Sequence, residues 1–385
     1  MPDFRLTEEQ EALRAGVQQF AREVVAPVIA EHYERRTFPY EIVRQMGKMG
    51  LFGLPFSEEH GGMGGDYFVL CLALEELARI DSSVAITLEA AVSLGAMPIY
   101  RFGTPEQQAT WLPRLVSGEA LAAFGLTEPG TGSDAAATTT RAVLDERTGE
   151  WVINGAKAFI TNSGTDITCL VTVMAVTGTN PDGSKELSTI IVPSGTPGFT
   201  VAPGYSKVGW CASDTHELAF DDVRVPAANL LGRRGRGFAQ FLQILDEGRI
   251  AIAALSVGLA QGCVDESLRY AAQREAFGQK IGNYQAVRFM IADMEMRATT
   301  ARLAYYDAAA RMLAGDNFKR HAAIAKLHAS EAAMENARYA TQVHGGYGFM
   351  NESAVGRFYR DAKILEIGEG TSEVQRMIIA RDLGL

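Results

Sequence analysis

Near the C-terminus a single carboxylate, Glu369, stands between Gly368 and Gly370 in the stretch Arg360-Asp-Ala-Lys-Ile-Leu-Glu-Ile-Gly-Glu-Gly-Thr-Ser-Glu-Val-Gln-Arg376. Two glycines let the backbone turn sharply and approach another molecule closely. Thr371 or Ser372 caps the apolar helical run that follows, Val374 to Ile379. A carboxylate on such a turn has little bulk beside it and can be aimed into a cavity. If the cavity excludes water, its pKa rises and it becomes a usable general base near neutral pH. The plainer alternative is an ordinary acidic residue at a helix N-terminus.

Other stretches suit ligand binding. Gly125-Leu-Thr-Glu-Pro-Gly-Thr-Gly-Ser-Asp134 offers backbone N–H groups, the Thr127 and Ser133 hydroxyls, and glycines. That suits a polar ring or a phosphate. It lacks the G-x-G-x-x-G order of a dinucleotide fingerprint and has no βαβ unit around it, and an ordinary connecting loop is the alternative. Asn154-Gly-Ala-Lys-Ala-Phe-Ile-Thr-Asn162 places Phe159 and Thr161 two apart on a predicted strand. Side chains two apart share a face, so both can press on one flat ligand; a core Phe is the alternative. Arg274-Glu-Ala-Phe-Gly278 and Gln342-Val-His-Gly-Gly-Tyr-Gly-Phe349 each end a predicted helix.

The elements that must position these residues fall into three texture blocks. Residues 1–120 read as helical. Thr7 with Gln10 makes a capping box, followed by the stripe Leu13, Val17, Phe20, Val24 and Val28, with a break at Pro27. Thr104-Pro-Glu-Gln107 is a second strong helix start. Residues 121–232 are rich in Thr, Val, Ile and Gly. Short strand candidates there are separated by turns such as Arg147-Thr-Gly-Glu150 and Asn180-Pro-Asp-Gly183. That pattern predicts an antiparallel barrel or sandwich. Residues 233–385 return to helix, with four long helices and a last one after Thr371. The expected fold class is α+β multidomain: helical domain, β domain, four-helix bundle.

Composition bounds the function. The chain has 385 residues, 47% hydrophobic, with a formal charge of −10. It has ample core, and net acidity argues against a nucleic-acid partner. Cys71, Cys169, Cys211 and Cys263 are widely spaced and read as reduced, buried thiols; with the six histidines they show no metal-ligand spacing. The N-terminal ten residues show no signal peptide and no apolar run reaches membrane-spanning length, Ile250–Leu259 being too short, so a cytoplasmic protein without a membrane partner is expected.

Taken together and in this order, TEPGTGSD, NGAKAFITN, REAFG, QVHGGYGF and RDAKILEIGEGTSEVQR resemble the acyl-CoA dehydrogenase family over Leu6 to Leu383. The resemblance implies bound FAD, a CoA thioester substrate, and a homotetramer arranged as a dimer of dimers. It implies that Glu369 removes the α-proton while the β-hydride goes to the flavin, giving the trans-2-enoyl thioester. Hydrogen bonds to the thioester carbonyl, from the flavin ribityl hydroxyl and the Glu369 N–H, would stabilise the developing enolate. Flavin contacts carry over to Phe124, Leu126, Thr127, Gly132, Ser133, Phe159 and Thr161; many relatives have Trp where Phe159 stands. Arg274, Phe277, Gln285, Gln342, Gly345 and Gly346 match positions that bind the FAD tail across a subunit interface, and Thr371 and Glu373 match dinucleotide contacts. Asp246 and Arg249 match positions near the pantetheine arm. Ser133, Gly368 and Gly370 fall to the substrate. Some relatives carry the base where this chain has Gly248, which cannot serve. Gly368 stands where straight-chain relatives carry Tyr, and Ala85 where relatives acting on glutaryl-CoA carry Arg. Thr87, Ala90 and Leu94 match the cavity floor. The expected reaction is dehydrogenation of a short or short-branched acyl-CoA, with electrons passed to an electron-transferring flavoprotein. An oxidase of the same fold, a non-catalytic flavin or acyl-CoA scaffold, and a carrier-bound or non-acyl substrate are the alternatives. Typical oxidases carry a long further C-terminal domain, and a scaffold has no need of Glu369.

Overall fold

A computed structural model describes residues 4–385; Met1–Asp3, part of the stretch read as lacking a signal peptide, lie outside the described residues. The chain begins with α1 (Glu8–Phe20). Thr7 accepts from Gln10 N and the Gln10 side chain returns the bond, as the capping box requires. A π-helical turn, Ala21–Val25, ends this helix just before Pro27, and α2 (Ile29–Arg35) and α3 (Tyr40–Lys48) follow. Next come α4 (Tyr67–Ala78) and α5 (Ser82–Glu89), the latter capped by Asp81. A π-helical segment, Ala90–Ala96, carries α5 into α6 (Met97–Phe102). The helix α7 (Pro105–Val116) has the expected Thr104–Gln107 box.

The middle of the chain is an eight-stranded sheet built from β1 (Leu121–Gly125), β2 (Arg141–Asp145), β3 (Glu150–Thr161), β4 (Thr168–Thr179), β5 (Lys185–Pro193), β6 (Phe199–Val201), β7 (Thr215–Pro226) and β8 (Leu230–Leu231). Its order is β6-β7-β3-β2-β4-β5-β8, with β1 also on β4. Most pairings are antiparallel, as expected, but β1 runs parallel to β4, and β2 meets β4 in parallel at Arg141. The cause is the path of the chain: β3 returns to the starting end of β1, and β4 then sets off beside it without a crossover helix. Trp151, Ile153, Val171, Val173, Ile190, Phe220 and Val223 form a core of their own within the sheet.

Helix resumes with α8 (Gly237–Gln273), then a two-residue hairpin, β9 (Glu275–Ala276) and β10 (Gln279–Lys280), then α9 (Gln285–Leu313), α10 (Lys319–His344), α11 (Ala354–Leu365) and α12 (Ser372–Asp382). The main core joins the N-terminal helices to α8, α9, α10 and α11. Two helical runs exceed what the sequence reading allowed: Ser82–Phe102 and Gly237–Gln273 are long and apolar enough to cross a membrane. Their apolar windows are 94% and 89% buried inside the protein, so they are the central helices of its core. Cys71 and Cys263 are buried, whereas Cys169 and Cys211 are partly open.

One buried carboxylate ties the three segments together. Asp361 on α11 accepts from Tyr33 Oη (2.6 Å), Ser82 Oγ (2.8 Å) and the Trp210 backbone N–H (2.7 Å). These donors come from α2, α5 and the loop before β7. A buried charge is tolerated only when its lone pairs are satisfied, so this network fixes α11 and the turn that follows it.

Candidate active site

The turn after α11 is held from within. Ile367 and Gly368 N–H groups donate to Ile364 O (2.9 and 2.8 Å), and Ser372 N–H to Glu366 O (2.9 Å). Thr371 caps α12 by accepting from Val374 N. Glu369 sits at the apex with φ +52°, left-handed and unusual for a residue with a Cβ, and Gly370 follows at +94°. Two side chains fix that strained backbone. Lys326, fully buried on α10, donates to Gly370 O (2.7 Å), and Gln375 Nε2 donates to the same oxygen (2.9 Å). Such strain persists only where the surroundings over-determine it, and here it aims a carboxylate inward.

Both Glu369 carboxyl oxygens are sealed from solvent without a hydrogen bond of ordinary geometry. Burial raises the group from the usual carboxylate range to about 7, against the opposing pull of Glu89, Lys326 and Arg249. The carboxyl lies against α8: a Cβ built on Gly248 would stand 2.4 Å from Glu369 Oε2 and 3.8 Å from Glu89 Oε1. Gly248 is therefore the floor under this carboxyl. Glu89, Lys326 and Gln375 did not emerge from the sequence reading. The signal for the first two was a charge inside an apolar helical run, Val84–Val92 for Glu89 and Ala322–Ala329 for Lys326.

Asp246 and Arg249, one turn apart on α8, are buried and ion-paired with each other, and Lys319 Nζ reaches Asp246 Oδ2 (3.2 Å). The Arg249 Nε is buried without a partner. Glu373 is exposed in the first turn of α12, where its carboxylate faces the helix N-terminus. Thr87 is buried and its hydroxyl is committed to Ser83 O (2.9 Å). Ala85 and Ala90 are buried too, and Leu94 is half-buried.

The two middle-segment motifs meet. Ala158 N donates to Thr127 O (2.8 Å), and buried Lys157 donates to Leu126 O (3.1 Å) and Glu128 Oε1 (2.9 Å). Glu128 in turn accepts from the Thr139 and Thr140 N–H groups (2.7 and 2.9 Å). The loop from Leu126 is thus pinned to β3. Simple alternation along β3 fails, however: between Lys157 and Ile160 a bulge inserts one extra residue, and Phe159 takes φ +60°. The bulge turns Phe159 outward, 65% exposed, with its ring beside Tyr205 (centroids 5.1 Å). Thr161, half-buried, pairs with Thr215 on β7. Phe124 is buried, with its ring stacked on Phe241 of α8 (3.8 Å), so its side chain serves packing between sheet and helix. Ser133 and Gly132 are exposed, a Cβ at Gly130 or Gly132 would meet nothing within 4 Å, and the Thr131 hydroxyl is buried and unpartnered. An open aromatic face, a loop with room for close approach and an unused hydroxyl fit a planar, hydrogen-bonding ring such as that of FAD.

A second cluster gathers at the far end of α8. Arg274, Gly345 and Gly346 line a cavity of about 500 Å³ with Tyr270, His344 and Tyr347. Phe277 and Gly278 form the tip of the β9–β10 hairpin with φ +52° and +82°, the two-residue geometry that requires left-handed backbone at both positions. It leaves the Phe277 ring 96% exposed. Gln285 opens α9 and Gln342 lies in the last turn of α10, both exposed. Arg274, Gly345 and Gly346 thus share one open cavity whose lining does not include Glu369, and Phe277, Gln285 and Gln342 are exposed outside that lining.

Comparison with known proteins agrees with this geometry. Residues 7–119, 123–223 and 235–384 match, in order, the N-terminal, middle and C-terminal domains of acyl-CoA dehydrogenase. The chain is 50% identical over 382 residues to the probable acyl-CoA dehydrogenase YngJ of Bacillus subtilis, covering 99% of each. Among solved structures it resembles the butyryl-CoA dehydrogenase of Megasphaera elsdenii, with a TM-score of 0.95 and 40% identity across 100% of both chains. It also resembles a chain solved as electron transferring flavoprotein of Acidaminococcus fermentans, in work on flavin-based electron bifurcation, with a TM-score of 0.95 and 40% identity across 99% of each. Matched in all three segments and over nearly its full length, the chain belongs to the acyl-CoA dehydrogenase family of FAD-dependent oxidoreductases.

Proposed function

We propose that the chain oxidises short or short-branched saturated acyl-CoA to the trans-2-enoyl-CoA, with Glu369 as the base, and passes the electrons to an electron-transferring flavoprotein. The observation that carries this reading is a sealed carboxyl on a strained, doubly pinned turn, with its pKa raised to about 7. An α C–H is too weak an acid for a carboxylate in water. Desolvation and a fixed position are what make the transfer feasible. Glu369 takes the α-proton. Its backbone N–H stays out of the turn's hydrogen bonds, which run from Ile367, Gly368 and Ser372, and so can donate to the thioester carbonyl as charge develops there. FAD, held by the loop from Leu126 to Ser133 and by Phe159 and Thr161, supplies the hydride acceptor when bound. Arg249 and Asp246 flank the thioester arm. The similarity to butyryl-CoA dehydrogenase supports a short acyl chain, and the similarity to the electron transferring flavoprotein chain supports that class of electron acceptor.

Gly368 decides branching. Its φ is ordinary, and an added Cβ meets only Ile364 O, at 3.4 Å, so a side chain there is tolerated by the backbone. A Tyr at this position would set a ring beside the α- and β-carbons. Gly368→Tyr is expected to depress kcat/KM for isobutyryl- and 2-methylbutyryl-CoA by about 10-fold or more, and for butyryl-CoA far less. The test is anaerobic mixing of the flavin-loaded protein and its variant with a panel of acyl-CoAs, following flavin bleaching. Swapping oxygen for an electron-transferring flavoprotein then identifies the acceptor. Equal losses for branched and straight chains, or an optimum at long straight chains, would overturn the assignment.

The cavity at Arg274 is proposed to receive the FAD tail from a neighbouring subunit of a tetramer. A residue that reaches a cofactor across an interface couples binding to assembly. Arg274→Ala is expected to lower FAD content and the tetrameric fraction together, with excess FAD restoring both. Size measurement with and without added FAD checks this, and unchanged assembly would place Arg274 within its own subunit.

A further inference from the structure

Glu89, the last residue of α5, is fully buried, and neither carboxyl oxygen has a hydrogen bond of ordinary geometry. Its carboxyl and that of Glu369 lie over the same point of α8, at Gly248. Two carboxylates this close in a dry site cannot both be charged; the pair retains a proton at neutral pH. The surroundings differ on the two sides. Around Glu369 stand the cations: Lys326 of α10, bonded to Gly370 O, and Arg249 of α8. Around Glu89 stand neutral groups: Tyr67 and Cys71 of α4, and Ser93 of the π-helical segment, whose hydroxyl accepts from Tyr67 Oη (2.8 Å). The other acids nearby are already partnered. Glu247 pairs with Arg101 (3.2 Å), Asp246 with Arg249 and Lys319, and Glu366 with Lys363 (2.7 Å), while Glu373 is exposed.

We propose that Glu89 and Glu369 share one proton, that Glu89 is the member that holds it, and that Glu89 thereby acts as the positioning residue of the base. The inference rests on Glu369 being the base. A neutral Glu89 donates toward the Glu369 carboxylate. That steers it over Gly248 and keeps it ionised in a place where burial alone would protonate it. Burial raises both carboxyls, and at Glu89 the nearby Glu369 charge adds to the rise, whereas at Glu369 Lys326 and Arg249 oppose it. As pH rises, Glu89 eventually ionises as well, and the doubly charged pair opposes the negative charge that develops on the thioester.

Two substitutions separate these effects. Glu89→Gln retains an N–H donor and removes the Glu89 titration; it is expected to reduce the alkaline fall of kcat/KM to the part that buried Lys326, lowered to about 8, contributes. Glu89→Leu removes the donor and leaves Glu369 buried alone; it is expected to move the acidic rise to higher pH by about one unit. Infrared spectra of the FAD-loaded protein give a readout independent of turnover. Above the pH at which Glu369 and the buried Asp81 ionise, both raised to about 7, a wild-type-minus-variant difference is expected to show a protonated-carboxyl C=O band for Glu89→Gln, where the band is lost, and none for Glu369→Gln, where it is kept. A band lost in Glu369→Gln but kept in Glu89→Gln would put the proton on Glu369 and overturn the proposal, as would wild-type pH profiles in both Glu89 variants. Failure of the base assignment is recognised separately, by full turnover in Glu369→Gln.

Discussion

Glu369→Gln is expected to fold, bind FAD and bind acyl-CoA, yet lose turnover by about 100- to 10,000-fold, the usual range for removing a general base. The amide has the shape of the carboxyl and the same Cβ, so the left-handed backbone at position 369 is no more strained than before. Lys326 and Gln375 hold Gly370 O and do not depend on the carboxyl. What the substitution removes is the proposed acceptor of the α-proton. The pH dependence follows with a definite sign. The base works only when ionised and its pKa is raised to about 7, so wild-type kcat/KM climbs as pH rises through that value. The residual activity of Glu369→Gln should lack this climb. Rapid mixing with butyryl-CoA from about pH 6 to 9 measures both quantities. Turnover near wild type would require a base other than Glu369.

Much of the scaffold that holds this carboxyl was legible locally, because its signals lie within a few residues of each other. Thr7 with Gln10 and Thr104 with Gln107 are complete capping boxes, and the last helix follows Thr371 as expected. The glycines around Glu369 correctly marked a sharp turn, but it is the glutamate itself that adopts the left-handed conformation along with Gly370. What escaped is set by contacts far apart in sequence. The bulge at Phe159 depends on the register of β3 against β7, which local alternation does not reveal, although exposure still alternates from Phe159 through buried Ile160 to half-buried Thr161. The parallel partnership of β1 and β4 depends on where β3 ends. Glu89 and Lys326 did not emerge from the sequence; their meaning appears only when α5, α8, α10 and the α11–α12 turn converge on Gly248 and Gly370. The length of the Ser82–Phe102 helix was hidden because an acidic residue, Glu89, interrupts its apolar run, and that residue is the second carboxyl of the site.

Gly248→Ala is the smallest change that should disable the site while leaving the fold intact. Position 248 lies deep within α8, a 37-residue helix, and its backbone is buried. Alanine in a helix interior is favoured over glycine by about 1 kcal/mol, so the substitution does not threaten the helix. The added methyl, however, would stand 2.4 Å from Glu369 Oε2, closer than a carbon and an oxygen tolerate. The first atoms it meets belong to the Glu369 carboxyl, proposed as the base, with Cδ at 3.5 Å, and Glu89 Oε1 follows at 3.8 Å. α8 is packed on all sides and cannot retreat, so the carboxyl yields, by something near 1 Å. A misplacement of that size costs about 100-fold in a proton transfer that depends on a fixed donor–acceptor geometry. Gly258 is the internal control. A Cβ there would stand 2.1 Å from the backbone oxygen of Glu75, away from the base, so Gly258→Ala should lower Tm through packing between α8 and α4. The expected pattern is therefore a crossed one: Gly248→Ala with Tm at or above wild type and kcat down about 100-fold, Gly258→Ala with Tm clearly reduced. Measuring kcat, KM and Tm for both variants tests it. Wild-type turnover in Gly248→Ala would mean that Glu369 swings freely, and that the close seat of the base on α8 is not what the chemistry uses.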